Sequence, residues 1–159
     1  MILLNFKTME TAFRINETSR KVLLGFLEKY SIEELNKIPE GFSNNLIWNI
    51  GHIIVVQQLL VYKLSGLPTM VSNEMIEKYQ KGTKPEHNVT QEEVDEIKVL
   101  LFSTLEKTKQ DFAENIFQNY LEFTSMSGFT MKSAANAIEF NNYHEAVHTG
   151  IMMQIRKFI

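Results

Sequence analysis

The sequence of 159 residues contains no cysteine, 16 basic and 19 acidic side chains, and 44% hydrophobic residues. That balance suits one globular domain spanning residues 1–159 with its own core. It excludes disorder, disulfide frameworks, thiolate metal sites, iron–sulfur clusters and cysteine nucleophiles. The net charge of −3 offers no basic field for gripping a phosphate backbone, so no nucleic-acid partner is expected.

The opening residues Met1 to Lys7 have no basic stretch before their apolar side chains, unlike a secretion signal. A first helix is expected over about Thr8–Tyr30, where Met9, Ala12, Phe13, Leu23, Leu24, Leu27 and Tyr30 recur at helical spacing. A connector from Ser31 to Phe42 follows, punctuated by Pro39 and Gly41. The second helix starts with Ser43 or Asn44 as its cap and runs to Ser65, where Gly66 and Pro68 stop it. Its apolar run, Ile50 to Leu64, is interrupted by His52, Gln57, Gln58 and Lys63, and falls short of the ~20 apolar residues of a membrane span. No membrane association is therefore expected, and the cytoplasm is the expected compartment.

A long connection from Leu67 to Val89 holds one short helix at Asn73–Gln80. Thr90-Gln91-Glu92-Glu93 has the form of a capping box, in which hydroxyl and carboxylate each satisfy a free N–H. The helix it opens directs Val94, Ile97, Leu101, Leu105, Phe112 and Ile116 inward. Phe117–Lys132 reads as a loop. A last helix at Ser133–Phe158 carries Ala134, Ala137, Ile138, Ile151, Met152 and Ile155 on its apolar stripe. Four such helices, with no sheet to cover them, bury their stripes against one another. The expected fold is an all-α four-helix bundle of the up-and-down type, with a long connection between helices two and three.

The chain has four histidines, and three fall at positions with chemical consequences. His144 and His148 are four apart, about 400° round a helix, so both rings leave one face a turn apart. A lone histidine on an apolar helix, as His52 is, is ordinarily a hydrogen-bonded core residue. A neighbouring i,i+4 pair changes the balance, because two neutral imidazoles side by side need partners for their lone pairs. His52, His144 and His148 together make a three-nitrogen set with an open fourth position, suited to a divalent ion that activates water. His87, in the polar stretch Lys84–Asn88, reads as a solvent-exposed bystander.

His144-Glu145-Ala146-Val147-His148 also spells the zincin string, in which Glu145 is the general base. The longer form of that motif requires Gly and His where this chain has Ile151 and Gln154, and no acidic residue follows Glu145. Glu145 lies about 100° from each neighbouring residue round the helix, so a supporting or surface role fits it better than a base. Asn141 is placed to pair with a ligand ring or a neighbouring helix. Asn45 and Asn49 are placed to line the cavity around His52, with Asn45 also a candidate cap and Trp48 an apolar wall. Arg14 and Arg20 could meet an anionic substrate, but a solvated face is expected for each. Met152 and Met153 read as core filler or dimer contact.

Trp48-Asn49-Ile50-Gly51-His52-Ile53, together with His144-Glu145-Ala146-Val147-His148-Thr149-Gly150, resembles the DinB/YfiT family of metal-dependent enzymes. The likeness extends over essentially the whole chain, in helix count and in the long connection after helix two. It implies a bundle in which one histidine of the second helix and two of the last hold a divalent ion, zinc or nickel. By position these are His52, His144 and His148. The family's common Gln after His-x-Gly is Ile151 here, a departure that leaves the triad intact. The resemblance further implies a homodimer acting on a small molecule, with a low-molecular-weight thiol as cosubstrate in S-transfer or isomerisation, or water in hydrolysis. An open metal position lowers the pKa of a bound thiol. The rival expectation is a non-catalytic module of a stress response that dimerises or binds a small molecule, with a structural metal or none.

Overall fold

The computed structural model describes the backbone of residues 2–159 and side chains from residue 9 onward. It is an all-α protein. Four long helices, α1 (Ile2–Lys29), α3 (Leu46–Val61), α5 (Gln91–Ala113) and α6 (Ala134–Ile155), are joined by shorter elements α2 (Ile32–Asn36) and α4 (Asn73–Tyr79). A 3₁₀ turn at Lys63–Ser65 and a hairpin of two-residue strands, β1 (Phe123–Thr124) and β2 (Thr130–Met131), complete it.

Helix starts follow side-chain chemistry. Thr90 and Glu93 form the reciprocal capping box expected of them at α5. Ser31 and Glu34 form a second one, which opens α2 inside the stretch expected to be a plain connector. The second long helix is capped by Asn45, whose Oδ1 accepts from the Trp48 N–H, rather than by Ser43 or Asn44. It ends through the 3₁₀ turn at Gly66, whose φ of 73° suits a residue without a side chain. Ile116 was expected to face inward and is 41% exposed instead. α5 stops at Ala113 and Asn115 turns the chain at φ 57°, so Ile116 lies beyond the helical periodicity that pointed it inward.

Side-chain pairings fix the helix directions. Gln57 meets Thr108 and Tyr62 meets Asp111, so α3 and α5 run parallel. His52 meets His144 and Asn49 meets His148, so α3 and α6 run antiparallel. Arg20 reaches both Glu145 of α6 and the Leu101 carbonyl of α5. Asn142 donates to the Ala12 carbonyl and Phe13 stacks edge-on against Phe112, which makes α1 parallel to α6 and antiparallel to α5. The all-α expectation holds, but an up-and-down order would set α3 and α5 antiparallel, and they run parallel, so the order is up, down, down, up. The stretch between α3 and α5, with α4 inside it, gives the chain the length to return along the bundle.

The core is split. One apolar cluster gathers Leu23, Leu27, Ile47, Ile54, Ile97 and Met152, and the other Met9, Phe13, Val61, Leu105, Ala137 and Ile138. Between them each long helix contributes buried polar residues: Asn16 and Arg20, Gln57 and Gln58, Thr104 and Thr108, Asn141 and Glu145. A polar layer thus crosses the middle of the bundle. The segment Leu46–Ser65 is long and apolar enough, on composition alone, to span a membrane. Its most apolar window is 83% buried in the bundle, so the core accounts for its composition.

Candidate metal centre

α3 and α6 bring His52, His144 and His148 together, and one ligand-capable atom of each lies within 4.8 Å of the other two. Among the described residues this is the group of histidine and acidic side chains so arranged. His87 stays exposed on the connection.

Two of the three tautomers are fixed by their partners. His52 Nδ1 lies 2.6 Å from the Tyr79 carbonyl oxygen, which can only accept, so Nδ1 carries the proton and Nε2 a free lone pair. Asn49 Nδ2 donates to the Asn45 carbonyl and to Asn44 Oδ1, which settles the orientation of its amide. Its Oδ1 then accepts from His148 Nδ1 at 2.8 Å, leaving His148 Nε2 free. His144 Nε2 sits 3.3 Å from His52 Nε2, while its buried Nδ1 has no hydrogen-bond partner. With the proton on Nδ1, two lone pairs face one another; with it on Nε2, an acceptor is stranded in the core.

A cation removes that conflict. Two nitrogens each 2.0–2.1 Å from a tetrahedral ion are themselves about 3.3–3.4 Å apart, matching the His52–His144 separation of 3.3 Å. Protonation is also suppressed. Burial lowers the His144 pKa to about 3, helped by neighbouring His148, His52 and Arg20. Burial and His52 lower that of His148 to about 4. Burial likewise lowers that of His52, against the opposing hydrogen bond to Tyr79. Neutral imidazoles keep the lone pairs that metal binding uses, so the donor set fits a divalent ion.

The surroundings lock these rings in place. Trp48 stacks on His52 with centroids 4.7 Å apart and planes 15° off parallel, and its indole N–H donates to Thr83 Oγ1. The Tyr79 ring lies so close to Gly51 that a Cβ there would meet it at 2.6–2.8 Å. Only glycine lets the end of α4 approach α3 closely enough for the Tyr79 carbonyl to reach His52.

Glu145 points elsewhere. It is fully buried, with Oε1 accepting from Arg20 Nε at 2.9 Å and from Asn141 Nδ2 at 2.8 Å. The zincin role for this carboxylate therefore finds no support: the oxygen facing a partner is held by arginine. Arg20, expected on a solvated face, is fully buried, because its counter-charge sits 125 residues away in sequence. Arg14 does lie exposed, as expected. Asn141 supports Glu145 rather than a ligand ring, Met152 is core and Met153 is exposed.

The rings form the floor of a cavity of about 630 Å³ between α3, α6, the connection and the β1–β2 hairpin. Trp48, Val56, Leu60, Phe140 and Val147 supply apolar wall. The hairpin lay unseen in the sequence within a stretch expected to be loop, and its tip carries Met126, 85% exposed. The Tyr79 carbonyl, a backbone atom, had no sequence signal at all.

The fold is all-α, and the three convergent imidazoles at the base of an apolar-walled cavity are compatible with the binding of a metal ion. The family model of the DinB superfamily matches residues 15–152, and the chain belongs to that superfamily. A search of curated proteins found no match.

Proposed function

We propose that this protein is a cytoplasmic metal-dependent enzyme that binds one divalent ion, zinc or nickel, through Nε2 of His52, His144 and His148, and acts on a small molecule. The observation that carries the reading is the pair of fixed tautomers: Tyr79 and Asn49 each take the Nδ1 proton of a histidine and turn its Nε2 lone pair toward the others. A divalent ion supplies Lewis acidity, which lowers the pKa of a coordinated thiol or water. The chain's own residues do the rest. Asn49 and the Tyr79 carbonyl orient the ligands and raise their basicity. Trp48 and the apolar walls limit water around the reacting group. Thiol transfer and hydrolysis both suit this arrangement. With no cysteine in the chain, a thiol nucleophile has to arrive on a cosubstrate.

The test is the metal content of purified, tag-free protein beside His52→Ala and His148→Ala. The wild type is expected to hold about one ion per chain and both variants to lose it. Equal content in all three overturns the triad. A second reading, a binding module without catalysis, draws on the lack of any Asp or Glu among the residues lining the cavity. It predicts that the metal-loaded protein consumes neither thiol nor electrophile.

A further inference from the structure

The charge of the cavity opposes that of the chain. The protein carries a net −3, yet the cavity is lined by Lys63 and Lys81 and by no carboxylate. Neither ammonium has an acidic partner among the described residues, a state they share with Lys29, Lys37, Lys84 and Lys157 but not with Lys21, Lys78, Lys98, Lys107 and Lys132. What sets Lys63 and Lys81 apart is that they line the cavity. The two lysines also sit apart. Lys81 follows α4 near Thr83, which holds the Trp48 indole, so it belongs to the histidine end. Lys63 lies in the 3₁₀ turn that follows α3, eleven residues beyond His52, about 16 Å away at helical rise. Between them the wall is Val56, Leu59 and Leu60.

We infer that the substrate is an elongated apolar molecule with an anionic group at one end, a carboxylate amphiphile being the simplest form. Its apolar body lies along α3 and a lysine at the cavity rim receives its charge. This rests on the proposed reading of the site as a small-molecule centre and names the substrate class. The arginines that the sequence singled out for an anion do not serve: Arg20 is spent on Glu145, and Arg14 lines a different groove, between α1 and α6. Apolar walls supply affinity and a few placed charges supply orientation, the usual division in such sites.

The test uses metal-free protein in chelator, with 11-(dansylamino)undecanoate as probe and its methyl ester as the neutral match, read by dansyl emission. The acid is expected to bind about 1.5- to 5-fold more tightly than the ester, the range that exposed charge pairs provide. Lys63→Gln combined with Lys81→Gln should erase that preference and leave ester binding within about twofold. The single variants then show which lysine takes the carboxylate. Val147→Trp, which fills the cavity from an exposed position, should weaken both probes, while Lys29→Gln, outside it, should weaken neither. Equal binding of acid and ester, an unchanged preference in the double lysine variant, or indifference to Val147→Trp each overturns the inference. Zinc titration of the same variants separates the two readings. A wild type that binds acid over ester but takes up no zinc refutes the metal centre alone, and the converse refutes the anionic substrate alone.

Discussion

His144 and Glu145 are adjacent on α6 and belong to opposite kinds of polar site. His144 turns to a cavity and joins two other rings whose lone pairs converge with nothing in the protein to receive them. Glu145 turns to α1 and is closed off with no exposed surface, its Oε1 held by Arg20 and Asn141 and its Oε2 buried without a hydrogen-bond partner. Both sites lie in the polar layer between the apolar clusters, and both are expensive to bury. The difference is in what satisfies them. A counter-charge from the same chain makes a structural site. Three imidazoles that converge, two of them with the Nδ1 proton held by Tyr79 and Asn49, make a site compatible with a metal ion.

The largest expected effect tests the closed side. Glu145→Ala strands the Arg20 guanidinium in the core and should cost about 3–5 kcal/mol in denaturant unfolding. Replacing both partners, Arg20→Met with Glu145→Leu, should recover much of that loss. Folded Glu145→Ala should still bind metal. Full stability with metal lost would reverse the roles assigned to the two neighbours.

The open side should show itself next, through acid. In metal-free protein the folded pKa values of His144 and His148, about 3 and about 4, lie below the unfolded value near 6.5. The unfolded chain therefore takes up protons first as pH falls. Stability contributed by keeping these rings neutral is complete above about pH 6.5 and drains as pH drops toward the folded values. Between pH 7 and 5 each ring should cost about 1–2 kcal/mol, and His144→Gln should flatten the profile. A stability that stays level over that range in chelator would contradict the burial of neutral imidazoles.

A smaller effect reports on the supports. Asn49→Leu removes the acceptor that fixes His148 and should weaken metal binding about 10- to 100-fold by competition with a chromophoric chelator. Asn141→Leu, on the closed side, should leave metal affinity unchanged and lower stability. Matching losses of metal affinity in the two variants would erase the distinction between the sites.

Much of this was legible in the sequence, and the failures share a cause. The four long helices, the Thr90–Glu93 capping box, the helix at Asn73 and the three histidines depend on local periodicity or on spacing along one helix. Arg20 was misplaced because its partner is remote in sequence. α2 was overlooked although Ser31-Ile32-Glu33-Glu34 repeats the pattern read correctly at Thr90, because a five-residue helix is too short to show an apolar stripe. The parallel course of α3 and α5 depends on how a long connection crosses the bundle, which no window of residues encodes. The supports of His52 were invisible for a further reason: one is a backbone carbonyl, and the other is the absence of a side chain at Gly51.

That last contact ties two functions to one piece of chain. The stretch from α4 to Thr83 holds the His52 proton through Tyr79, anchors Trp48 through Thr83, and places Lys81 at the cavity rim. A change of cavity shape made there pulls on His52, and a change that loosens His52 reshapes the rim. The shape of this end of the cavity is therefore not free to drift. The cavity can change shape more freely at the β1–β2 hairpin, which borders the same space without touching any of the three histidines' hydrogen bonds.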